Sequence, residues 1–135
     1  MIDHCFLSVN DWKKSRNFYD ATLKILGYER ILTFEIDENM AMAGYGSNKK
    51  SAFWIEKSPG ITLSKEGGKA RGVGIAFAAP SVEAIHAWFD ACLSHGATED
   101  EKPEHKPDYH PGYFGASVID PNGWRIEAVL HTYKK

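Results

Sequence analysis

Cysteine is scarce: Cys5 and Cys92 are the only two thiols in 135 residues, and both sit in apolar periodic stretches. So few thiols argue against a disulfide framework and make a reducing cytoplasm the expected setting. No apolar run approaches the ~20 residues that a membrane-crossing helix needs. The opening residues Met1-Ile2-Asp3-His4 carry neither a basic stretch nor an apolar segment, so no secretory signal is expected. Charge of one sign is lacking too. Lys+Arg number 16 against 18 Asp+Glu, a formal net charge of −2 with a pI near 6.3. That balance offers little to a nucleic acid or a membrane surface, and neither partner is expected. Apolar side chains, by contrast, are plentiful. At 43% hydrophobic and 13% aromatic, the chain has enough for a packed core and does not read as disordered. Its length suits one domain, or two very small halves sharing a core.

The chain repeats itself. Asn17-Phe18-Tyr19-Asp20-Ala21-Thr22-Leu23 aligns with Ala87-Trp88-Phe89-Asp90-Ala91-Cys92-Leu93, seventy residues on. Under the same shift Trp12, Phe18, Tyr19 and Leu23 fall on Val82, Trp88, Phe89 and Leu93. Apolar spacings of three and four predict an amphipathic helix in each copy. Asp11 and Ser81 suit the N-caps, and Gly27 and Gly96 suit the position just past each helix. A short strand is expected before each helix, at residues 2–9 and 73–79. After the first helix, strands are expected at 31–36, 40–45 and 52–56; after the second, at 113–119 and 124–130. Asp120-Pro121-Asn122-Gly123 is a strong hairpin turn between the last two. Residues 100–112 are polar and proline-rich and read as a long loop. The expected organisation is one domain over 1–135, made of modules at about 1–58 and 72–131 and a linker at about 59–71. Each module reads β-α-β-β, with a further strand evident in the first.

Strand alternation then sorts the side chains by face. Each helix must cover one face of its sheet. Cys5, Leu7 and Val9, Phe53 and Ile55, and Ile126, Ala128 and Leu130 are assigned to the helix side. The opposite faces receive His4, Phe6, Trp54, Glu56, Arg125, Glu127 and His131, with the small residues Gly74, Ala76 and Ala78. Should the half-sheets curve together, these faces line a concave cavity with apolar walls and a few polar groups, the usual form of a ligand site. Histidine and glutamate on that face are also suitable ligands for a divalent metal.

With these motifs in place, the sequence resembles the vicinal oxygen chelate superfamily, which includes glyoxalase I, bleomycin- and fosfomycin-resistance proteins and extradiol dioxygenases. The resemblance rests on Asp3-His4, Ser15-Arg16-Asn17-Phe18-Tyr19, Gly27-Tyr28, Ile75-Ala76-Phe77, and Asp120-Pro121-Asn122-Gly123 followed by Ile126-Glu127. Tyr109-His110-Pro111-Gly112-Tyr113-Phe114-Gly115-Ala116 resembles a subgroup of small glyoxalase-like proteins. It implies an α+β fold of two βαβββ modules forming a curved mixed sheet with a shared cleft, and commonly a homodimer. It also implies a divalent metal (Zn, Ni, Mn or Fe) held by the first and last strand of each module. Carried over, the ligands are His4 and Glu127. The second module's first-strand position is Gly74, which cannot ligate. The first module's last-strand position is Trp54 or Glu56, depending on whether the turns or the Ile-Glu pairs are aligned.

Two functions from different classes follow. One is a metal-dependent lyase, isomerase or dioxygenase acting on a small oxygenated substrate, with His4, Glu127 and Glu56 as ligands and Glu127 doubling as base. The other is a metal-free protein that binds or sequesters a small molecule, to which the missing ligand at Gly74 points. Phe6, Trp54, Tyr109 and Tyr113 are expected to contact the ligand, with Tyr45 as a further candidate wall. Arg125 is expected to hold a substrate anion or to pair with Glu127. His110, in the long loop, is a candidate proton donor over the cavity.

Overall fold

The computed structural model describes all 135 residues. The fold is α+β, two βαβββ modules in the order β1 (Cys5–Ser8), α1 (Trp12–Ile25), β2 (Glu29–Asp37), β3 (Met40–Ser47), β4 (Lys50–Lys57), β5 (Gly74–Ala78), α2 (Val82–Ser94), β6 (Thr98–His105), β7 (Phe114–Ile119) and β8 (Arg125–Leu130). A short 3-10 turn spans Gly68–Arg71. The chain divides into two compact units, Met1–Lys65 and Glu66–Lys135.

In the first unit the strand order is β1-β4-β3-β2, with β1 parallel to β4 and the other pairs antiparallel. The second unit repeats it as β5-β8-β7-β6, with β5 parallel to β8. The helices begin at the expected caps: the side chains of Asp11 and Ser81 accept from the amides of Lys14 and Ala84. These contacts satisfy amide donors that a helix start otherwise leaves open. Gly27 and Gly96 follow the helix ends with φ of 92° and 101°, a region that costs other residues strain.

The duplication extends into the core. Ser15, Phe18, Tyr19 and Thr22 are buried on α1, and their counterparts seventy residues on, Ile85, Trp88, Phe89 and Cys92, are buried on α2. In the first unit Tyr19 packs against Phe53 and Tyr45, with ring centroids 5.1 and 6.2 Å apart. Tyr45 is therefore core beneath α1, not a cavity wall. Its hydroxyl donates to Asp20 at 3.0 Å, and burial, then the Asp20 charge, pushes its pKa well up.

Two expected elements differ. The first strand is shorter, so His4 lies just outside it. Residues 98–105, part of which reads as loop, form the edge strand β6. Its sequence, Thr-Glu-Asp-Glu-Lys-Pro-Glu-His, has no apolar alternation because both its faces are largely in contact with solvent. An edge strand needs only one neighbour for its backbone, and it tolerates Pro103 where an inner strand would not.

Candidate functional site

On the open face of the first unit, β1 and β4 run side by side with Phe6 beside Trp54 and Ser8 beside Glu56. A Cβ on Gly44 would lie 2.8 Å from Cζ2 of the Trp54 indole, so this glycine lets the ring lie across the sheet. The indole donates to the Ser51 carbonyl at 3.3 Å and stacks with Phe34, at 6.4 Å between centroids and 14° between planes. Phe6, Leu32, Phe34 and Ile36 are all exposed. The result is an aromatic, solvent-facing surface, an unusual use of large apolar side chains outside a core. His4 stands beside it, its Nδ1 2.7 Å from Asp3, which also meets Lys50 at 2.7 Å. The Lys50 contact first, and then His4, holds the Asp3 carboxyl below its usual range.

The strand register resolves the alternative left open by alignment. Glu127 pairs with Ala76. Ala76 is the counterpart of Phe6, and Phe6 pairs with Trp54. Trp54, not Glu56, therefore occupies the position equivalent to Glu127. Glu56 lies beside Ser8, four residues beyond His4, or ~13 Å along an extended strand. That span exceeds what an imidazole and a carboxylate can share through bonds of ~2 Å to one ion.

In the second unit, Arg125 and Glu127 project from the open face of β8. The Arg125 guanidinium pairs with Glu127 and with Asp100, the latter at 2.8 Å from Nε. Its Nη2 also donates to Ser117 Oγ at 3.3 Å and lies 3.8 Å from Glu101. Asp100 and Glu101 are consecutive, and a regular strand would send them to opposite faces. Glu99 pairs with Val118 and Glu101 with Ser117, so Asp100 is an extra, bulged residue and both carboxylates reach the arginine. Burial pushes the Asp100 pKa up, but the Ser117 hydroxyl and the guanidinium outweigh it and hold the group below its usual range. Glu101 is held low chiefly by Lys106. Burial alone would pull the Arg125 pKa down; Asp100 and Glu127 more than reverse this.

Of the four positions implied by the resemblance, His4, Trp54, Gly74 and Glu127, two carry a side chain able to bind a metal. Zinc sites generally take at least three protein ligands. No group of three or more His, Cys, Asp or Glu side chains is gathered to hold an ion. A Cβ on Gly74 would lie 3.8 Å from Arg125 Nη1, so a cation already stands beside both Gly74 and Glu127. This donor set does not fit the implied metal.

The segment Tyr109–Tyr113 folds back as a tight turn, with the Tyr113 amide donating to the His110 carbonyl at 3.1 Å and Pro111 at the position where its fixed φ is favourable. His110 stacks on His131 with centroids 5.0 Å apart, and Tyr113 meets both rings edge-on. Tyr109 is exposed and packs edge-on against Tyr113 at 4.9 Å. His131, which strand alternation assigns to the face of Arg125 and Glu127, lies just past the end of β8. Asp100 carried no signal, because a bulge in a polar edge strand leaves no periodicity to read, and Ser117 in β7 and Lys106 past the end of β6 are single polar residues outside any motif. No helix is long and apolar enough to cross a membrane.

The profile of the Glyoxalase/Bleomycin resistance protein/Dioxygenase superfamily matches residues 1–128, and the chain belongs to that superfamily. Among solved structures it is similar to a glyoxalase/bleomycin resistance protein from Albidiferax ferrireducens T118, at 27% identity and a TM-score of 0.73, covering 94% of this chain and 96% of that one. A glyoxylase/bleomycin resistance protein/dioxygenase domain from Frankia sp. EAN1pec shares the fold at 15% identity and a TM-score of 0.71, with 97% of each chain covered. Glyoxalase I from Zea mays does so at 21% identity and a TM-score of 0.69; the match covers 94% of this chain and 44% of the maize enzyme. No curated protein sequence matches the chain.

Proposed function

We propose that this chain is a small-molecule-binding protein of the superfamily that works without a metal. Its ligand is planar and partly apolar, and it lies against the aromatic face formed by Phe6, Phe34 and Trp54. The observation that carries the metal-free reading is the Arg125 guanidinium paired with Glu127 beside Gly74. A bound guanidinium neutralises the carboxylate permanently, since arginine stays charged at any working pH. Releasing Glu127 to an ion would leave that cation facing the incoming one.

A metal-dependent lyase, isomerase or dioxygenase is the second reading, and one contact favours it. Asp3 holds Nδ1 of His4, the arrangement by which a carboxylate orients an imidazole whose Nε2 binds a metal. This reading requires ligands beyond His4 and Glu127.

Thermal shift measurements with planar amphipathic aromatic probes that do not themselves chelate metals test the proposal. A ligand that prefers the folded chain raises its melting temperature. The expected result is the same rise with and without EDTA, reduced in Trp54→Ala. A rise that appears only after Zn, Ni or Mn is added overturns it.

A further inference from the structure

A second pocket lies on the open face of β5 and β8, wholly within the second unit. It measures about 280 Å³ and is lined by Ala76, Phe77, Ala78, Tyr113, Val129 and His131. The short side chains of Ala76 and Ala78 leave the space, and the volume falls just under the ~300 Å³ at which drug-sized pockets begin.

Two polar groups border it, and the hydrogen bonds around them fix what each can offer. The Gly112 amide donates to Nδ1 of His110 at 3.1 Å, so neutral His110 carries its proton on Nε2. That Nε2 lies 2.7 Å from Nδ1 of His131 and donates to it. Neutral His131 must then carry its own proton on Nε2, which has no acceptor within the protein. Gly112 makes the chain of bonds feasible, since a Cβ there would lie 2.3 Å from the His131 carbonyl. The Tyr113 hydroxyl also has no partner. Burial chiefly pushes its pKa up, so it stays a protonated donor.

We propose that this pocket binds a small neutral carbonyl compound whose oxygen accepts hydrogen bonds from His131 Nε2–H and the Tyr113 hydroxyl, with its apolar part against Ala76, Ala78 and Val129. A carboxylate is disfavoured because an ionised group loses its hydration against the mainly apolar lining, and a hydrocarbon leaves both donors unpaired. His110 is a positioning residue that sets the His131 tautomer.

Cyclohexanone is the probe, compared with methylenecyclohexane (similar shape, no oxygen) and with cyclohexanecarboxylate, by NMR titration of the full chain. Cyclohexanone is expected to shift the His131 and Tyr113 resonances and to bind about thirtyfold tighter than the hydrocarbon, the effect of two hydrogen bonds. His131→Phe should lower that preference about fivefold, the share of one hydrogen bond, while its spectrum stays dispersed, and Trp54→Ala should leave it intact. In the free protein, ring ¹⁵N shifts should place the proton of both histidines on Nε2. Equal binding of the hydrocarbon, tighter binding of the carboxylate, absence of shifts with all three probes, or an Nδ1–H tautomer at His131 overturns the proposal. The inference takes from the proposed function only that the chain binds small molecules. Chelator-sensitive binding at Trp54 refutes that reading and leaves this one standing, whereas loss of carbonyl selectivity with Trp54 ligands still bound refutes this one alone.

Discussion

Arg125 contacts Asp100, Ser117 and Glu127 at once and lies close to Glu101. Its side chain is 13% exposed, against 28% for Asp100 and 22% for Glu127. Removing a cation from such a place leaves carboxylates facing one another in a partly dry setting. Arg125→Met is expected to cost about 2 kcal/mol at neutral pH, less than the ~3–5 of a fully buried pair because water screens part of it. The pH dependence carries a definite sign. Asp100 and Glu101 have folded pKa values below their ordinary 3.8 and 4.5. They therefore add stability that is complete above those values and is lost as pH falls through and below them. Urea denaturation from neutrality to below pH 3.8 should show this acid loss in the native chain. It should be shallower in Arg125→Met; an equally steep loss would mean that Arg125 does not hold the carboxylate down.

At the scale of elements, sequence was informative where a physical pattern repeats every two or 3.6 residues. Both helices, their caps and most of the strands follow from apolar spacing and turn residues. β6 does not, since an edge strand exposed on both faces and interrupted by a bulge has no such pattern. Its bulge also decides the surroundings of Arg125, so what was illegible in the strand was illegible in the site. The hairpin between β3 and β4 offers a separate test. Asn48 and Lys49 both have positive φ, 51° and 64°, the conformation of a two-residue turn that favours Asn-Gly. Lys49→Gly should raise stability by about 1 kcal/mol, since a left-handed conformation costs a side-chain-bearing residue ~1–2 kcal/mol. An unchanged denaturation midpoint would count against that strain.

Across the whole molecule, duplication explains both what could be read and what could not. An offset of seventy residues makes Gly74 the sequence counterpart of His4, which is visible in the sequence alone. Trp54 rather than Glu56 corresponds to Glu127 because Phe6 pairs with Trp54 and Ala76 with Glu127, a register that the sequence repeat alone leaves open. Once register is known, the two halves are no longer equivalent in chemistry. The first presents aromatic rings, and the second presents a guanidinium held by carboxylates. In the proposed metal-free reading, the Arg125 guanidinium holds the carboxylate that the resemblance assigns to a metal. Calorimetric titration of Zn, Ni and Mn into the chelator-treated chain tests this: no saturable equivalent of any of them is expected, and a single stoichiometric ion whose binding disappears in His4→Ala or Glu127→Gln would overturn it.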